Sequence, residues 1–298
     1  MSRSTDTTAL LSTLRLALTR SVLKSSRSDR EANRAACAVS RNGDRYYGAK
    51  IESDTNLLDI GAEHVALLRA VQHKDFGIVE VVAFVDDEKG VVSPLTLKVL
   101  FDFGVRTGTM PGYRLINNRD AVIFETDDVT KMLPYYHPSL GELKLTTSTP
   151  EKNQDPCPEG EAEDILRIYA HRGLTLAFPT YAGASSYGAA VLTASGAVYF
   201  GGQYSAPEKR LNIHAEMSAV IAALMEGERV ITHLGMVADK FTEGVCTLCG
   251  CCRQFIFELS SKFNWNMNII CFAKEAPVKT SHTINDLLPN SWNSKKWA

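Results

Sequence analysis

Two periods of apolar and polar residues alternate along this chain. From about 162 to 177 apolar residues recur at helical spacing. Two short strand-like runs follow, near 187–193 and 197–202, parted by Ser195-Gly196. A second helical stripe starts near 214 and carries Met217, Val220 and Leu224. A strand near 230–238 then leads to a helix from about 250, and "MNIICFA" (267–273) reads as a further strand. Strands interleaved with helices predict a mixed sheet covered by helices.

The same pattern occurs earlier in the chain. Residues 35–71 align with 188–224 without a gap. Asn42-Gly43 matches Ser195-Gly196, each predicting a two-residue hairpin turn. Gly61-Ala62-Glu63 matches His214-Ala215-Glu216, and Val65, Leu68 and Val71 continue at helical spacing. Further on, "VLFDF" (99–103) matches "FIFEL" (255–259), and "VTKMLP" (129–134) matches "INDLLP" (284–289). Landmarks held in register over this length indicate a duplicated module. The stretch at 146–163, rich in Thr, Pro, Gly and charge, has little to bury and reads as a linker, with Cys157 as a lone thiol. The expected organisation is one module at 1–145, the linker at 146–163 and a second module at 164–298.

Composition changes this picture little. The chain has 298 residues, 45% hydrophobic and 22% charged, as in soluble globular proteins. A net charge of -2 gives no footprint for nucleic acid. No apolar run reaches the roughly 18 residues of a membrane span. Seven cysteines, four of them within 246–252, do not make a secreted disulfide framework. They read as reduced thiols in a cytoplasmic setting, placed to bind metal. The Arg- and Ser-rich start has a transit-peptide flavour. Asp6, Asp29, Glu31 and the repeat argue for a folded module instead.

The chemistry concentrates in "HAE" (214–216) and "CTLCGCCRQF" (246–255). His214 and two cysteines give zinc three ligands and leave a fourth position open for water. Two Cys-x-x-Cys frames overlap, Cys246/Cys249 and Cys249/Cys252. The second is preferred, because Gly250 lets backbone approach the metal and Arg253 can donate to a ligating sulfur. The first frame stays open. Zinc lowers the pKa of its water toward ~7. Glu216, two residues beyond His214, reaches that water without ligating the ion and can move protons.

His-x-Glu followed by a Cys-x-x-Cys pair is the zinc deaminase signature. With "TLCGCCRQF" (247–255) and "LLP" (287–289) in order and spacing, the second module resembles the cytidine deaminase family. That resemblance implies two tandem three-layer α/β/α modules, each with a mixed sheet of about five strands. It also implies zinc-dependent conversion of a cytosine nucleoside to the uracil product and ammonia, as in pyrimidine salvage, and a homodimer. Glu216 would protonate the base and then the departing amine. The Ala215 backbone would contact the base, and the Thr247 carbonyl the amine.

Departures from the family pattern are specific. Leu248 stands where a proline is usual. Gln203-Tyr204-Ser205 replaces the Asn-x-Glu that binds the sugar hydroxyl. Gln203 retains hydrogen-bonding capacity, whereas Ser205 is too short for a glutamate's role. A Phe expected near "AGASSYGAA" (182–190) is missing. These changes suggest altered sugar specificity, so a modified nucleoside, a nucleotide or an aminopyrimidine antibiotic is an alternative substrate. In the first module Gly61 replaces the histidine and "SPLTLKVLF" (93–101) offers no thiol, so it reads as non-catalytic. Lys50-Ile51-Glu52 retains a glutamate at the Asn-x-Glu position. A polynucleotide-editing deaminase would need a basic groove. A non-catalytic zinc protein that binds nucleosides is the reading from another class. Cys37 and Cys271, in apolar strands, read as small buried hydrophobes.

Overall fold

A computed structural model describes residues 7–23, 32–55, 57–138, 145, 152–156 and 158–292. Cys157 lies outside them. Chain contacts divide the protein into two units. Unit 1 holds the described residues to Glu52 and from Asp59 to 138, with 145; unit 2 holds 53–58 and those from 152 onward.

In unit 1 the order is α1 (Thr7–Leu18), β1 (Arg34–Ser40), β2 (Arg45–Ala49), α2 (Ala62–Gln72), β3 (Ile78–Val85), α3 (Pro94–Thr107), β4 (Gly112–Ile116) and β5 (Val122–Thr126), ending in a 3-10 turn at Val129–Met132. The five-stranded sheet runs β2-β1-β3-β4-β5, with only the β3/β4 pair parallel. Leu10, Leu11 and Leu14 of α1 pack on Ala35, Cys37 and Val39 of β1. On β1 the even-numbered residues therefore face the other helical layer, since side chains alternate across a strand.

Unit 2 contains β6 (Gln154–Asp155), α4 (Ala162–Leu174), β7 (Tyr187–Thr193), β8 (Val198–Gly202), α5 (Ala215–Glu226), β9 (Ile231–Ala238), α6 (Gly250–Phe263), β10 (Asn268–Phe272), β11 (Lys279–His282) and α7 (Ile284–Leu287). Its sheet order is β11-β10-β9-β7-β8-β6, so five strands repeat the order of unit 1 and β6 adds a sixth. Gln154–Asp155 lies inside the stretch expected to be a linker; it pairs antiparallel with β8, and Asn153 donates from its side chain to the Phe200 carbonyl at 3.0 Å. That stretch has few apolar groups but enough backbone donors and acceptors to extend a sheet edge.

The duplication extends to single residue pairs. Ala35 pairs with Ala49 and Gly188 with Gly202, all displaced by 153 positions. The register shift at Val39/Ser40 recurs at Leu192/Thr193. After β3 and β9 the displacement becomes 156, because the loop before α6 (239–249) is three residues longer than that before α3 (86–93).

The hairpins differ from the two-residue turn expected. Ser40 N bonds to the Asp44 carbonyl and Thr193 N to that of Ala197, leaving three-residue loops. Gly43 and Gly196 sit at φ 92° and 90°, the left-handed position that follows a type I turn in this loop class. Cys37 and Cys271 are fully buried. Among the described residues no helix is long and apolar enough to cross a membrane.

Candidate active site

Two helix starts in unit 2 carry the chemistry. His214 is the N-cap of α5 and Cys249 the N-cap of α6; both have extended backbone and neither uses its side chain as a cap. Their side chains are therefore free to face each other. His214 Nδ1 lies 3.3 Å from Cys249 Sγ and 3.4 Å from Cys252 Sγ. One ligand atom from each residue falls within 4.8 Å of the others, the one such group of three among the described residues. The His214 carbonyl accepts from Ser218 N at 2.9 Å and Ser218 Oγ at 3.1 Å, fixing the first turn.

The donor set fits a tetrahedral cation. With bonds of ~2.3 Å to sulfur and ~2.05 Å to nitrogen, zinc would hold S and N about 3.6 Å apart. Protonation tells the same story. A hydrogen bond from the Cys252 thiol holds Cys249 well below the ordinary thiol range and pushes Cys252 well above its own. Two sulfurs this close do not both ionise without a cation. The hydrogen bond to Cys249 raises His214 against the opposing effect of burial. Both helix N-termini add positive potential that favours thiolate.

Glu216 occupies the second position of α5 and is 4% exposed. Burial is the main cause of its raised pKa, and His214 opposes that shift. It is a carboxyl beside the ligand group, poised to carry a proton. Ala215, between the two, is fully buried.

The remaining predicted residues are placed as follows. Thr247 is exposed, and its carbonyl faces the Cys246 thiol at 3.7 Å. Gln203, just past β8, donates from its side-chain amide to Ser205 Oγ at 2.9 Å. Cys246 is half-exposed and Cys251 exposed, and neither joins the His214 group. Arg253 differs from expectation. Its guanidinium donates to the Leu248 carbonyl at 2.7 Å, the Leu287 carbonyl at 3.0 Å and Thr247 Oγ1 at 3.4 Å, not to a sulfur. A planar fork with several donors suits convergent carbonyls, and here it ties the cysteine loop to α7. Leu248, at the usual proline position, is buried.

Unit 1 shows what the same frame becomes without ligands. Gly61 caps α2 where His214 caps α5, and Ser93 caps α3 where Cys249 caps α6. Glu63 is 1% exposed, and its Oε1 accepts from Arg34 at 3.0 Å and Tyr113 at 2.8 Å. A guanidinium thus supplies the positive charge beside the buried acid. Lys50 and Glu52 form a buried ion pair at 3.1 Å.

Sequence reasoning missed Tyr187 and Asp239. Asp239 anchors Ser186 N at 2.8 Å beside the first residue of β7. Tyr187 follows the apolar alternation of its strand, so its position at the strand end was the sole signal.

No family model matches this chain. Over 110 residues it is 32% identical to the cytidine deaminase of Enterobacter sp. (strain 638), covering 36% of this chain and 32% of that protein. Over 105 residues it is 34% identical to the cytidine deaminase of Mannheimia succiniciproducens, covering 35% and 29%. The match thus spans about a third of these curated relatives' length. Among solved structures, a Burkholderia pseudomallei cytidine deaminase aligns with TM-score 0.40 and 25% identity, over 44% of this chain and 100% of that one. One from Mycobacterium tuberculosis aligns with TM-score 0.37 and 25% identity, over 45% and 99%.

Proposed function

We propose, from a chain related in sequence to the cytidine deaminase family, that unit 2 is a zinc-dependent deaminase of a cytosine nucleoside. The observation that carries this reading is the His214, Cys249 and Cys252 group with the buried Glu216 carboxyl beside it. Those three residues would hold the ion, whose Lewis acidity makes water a nucleophile at neutral pH.

The chain's own groups do the rest. Glu216 takes a proton from the attacking water and delivers it to the ring nitrogen of the base. Once the C4–O bond has formed, Glu216 takes the remaining proton from the new C4 hydroxyl and passes it to the amine; the C4–N bond breaks, the C4 carbonyl forms and ammonia leaves. Burial keeps this carboxyl's pKa raised, which suits a group that must hold a proton between two steps. The Ala215 backbone would meet the base, and the Thr247 carbonyl the amine. Unit 1 has Gly61, Ser93 and Thr96 in the ligand positions, and we read it as non-catalytic.

Ammonia release from zinc-loaded protein, across cytosine nucleosides, nucleotides and aminopyrimidine antibiotics, tests this. Glu216→Gln should lose about 10²–10⁴-fold in kcat and keep its zinc. Release from no substrate by the wild type would leave a nucleoside-binding zinc protein. The Gln203–Ser205 hydrogen bond favours a second substrate reading, because it ties up one N–H of the amide expected to meet the sugar and Ser205 is too short for a glutamate's role. A modified sugar or a phosphorylated substrate is then preferred to cytidine. We further propose a homodimer in the cytoplasm, and light scattering should give twice the chain mass.

A further inference from the structure

On β7, Gly188, Ala190 and Leu192 face α4. The Ala170 carbonyl would lie 2.1 Å from a Cβ at Gly188, and Ala190 and Leu192 belong to the α4 core. Alternation then turns Tyr187 to the opposite face, toward α5. As the first residue of β7 it stands at the strand end, where the Tyr187 carbonyl accepts from Gln203 N at 3.2 Å.

The duplicated unit shows where such a side chain ends. Arg34 is the first residue of β1, 153 positions before Tyr187, and it pairs with Val85 as Tyr187 pairs with Ala238. Its tip reaches Glu63, the counterpart of Glu216, at 3.0 Å. The same strand position therefore directs a side chain toward the same helix in both units. The surroundings of Tyr187 agree. Burial first, then the charges of Cys246, Asp239 and Glu216, raise its phenol. Among the described residues its hydroxyl has no hydrogen-bond partner.

We propose that Tyr187 contacts the substrate and sets its specificity, its ring walling the pocket beside Glu216 and its hydroxyl bonding a hydroxyl of the substrate's sugar. This rests on the nucleoside reading above. It also adds a sugar contact beyond that of Gln203, one of whose amide protons is held by Ser205. Polar contact to the sugar then extends from the end of β8 to the start of β7.

Tyr187→Phe keeps the ring and removes the contact. With zinc-loaded protein, KM for cytidine should rise about tenfold while kcat stays within about twofold, the size of one lost hydrogen bond. KM for 2′,3′-dideoxycytidine should not move. Equal KM shifts for the two nucleosides, or no shift for either, would overturn the assignment. Calorimetric binding of the same pair separates this from failure of the deaminase reading. If the wild type releases no ammonia but binds cytidine, Tyr187→Phe should still weaken cytidine and spare the dideoxy compound. Unchanged binding overturns the inference whatever the enzyme does.

Discussion

Which sulfurs matter is a question of single residues. Four cysteines in seven positions offer two ligand frames, and spacing alone does not choose between them. The structure brings Cys249 and Cys252 to His214 because an α-helix begins at Gly250 and places positions three apart on one face. Cys246 falls before the helix and Cys251 on its outer side. Serine at 249 or 252 should therefore abolish stoichiometric zinc in elemental analysis, whereas serine at 246 or 251 should retain it. A second residue-scale effect lies in unit 1. Burial lowers the His64 pKa from 6.5 to about 3, with Arg106 adding to the shift. The folded state keeps this imidazole neutral while the unfolded chain protonates it below 6.5. Its contribution is intact above pH 6.5 and is lost progressively as pH falls toward 3. His64→Leu should flatten the acid limb of urea midpoints across that window, by up to a few kcal/mol. An unchanged limb would contradict the burial described.

At the scale of elements, helices approach the sheet through small residues. Gly188 puts no side chain between β7 and α4, and a Cβ there would lie 2.1 Å from the Ala170 carbonyl and 2.5 Å from Leu174 N. Both are backbone atoms, so relief requires moving the helix. Gly188→Ala should cost about 1–3 kcal/mol or more in chemical denaturation. It should also disturb the site, since Tyr187 is its neighbour. Much at this level was legible in advance. The helical stripe at Val220 and Leu224, the strand at 267–273 and the gapless match of 35–71 to 188–224 all reappear as elements. Local periodicity carries that information. The hairpin loops were shorter in expectation because the Asn-Gly and Ser-Gly pairs hide the third residue that a left-handed glycine completes. Arg253 was assigned a sulfur because sequence places it next to one, yet α7, 34 residues on, supplies its carbonyl. Partners that arrive from distant elements leave no local trace.

The whole molecule is one architecture used twice with opposite electrostatics. In unit 2 a buried acid faces donors arranged for a cation; in unit 1 the matching acid faces Arg34 and Tyr113. That inversion was half legible. The missing histidine and thiols could be read directly, while the arginine that stands by the acid instead sits at a strand start that looks unremarkable in sequence. The extra three residues before α6 have a further consequence. An imidazole and two thiols transplanted onto Gly61, Ser93 and Thr96 would stand behind the shorter 86–93 connection and beside Arg34. A metal site there would also require evicting the guanidinium that Glu63 holds. The two halves therefore differ in backbone as well as in side chains, and exchanging side chains alone does not interconvert them.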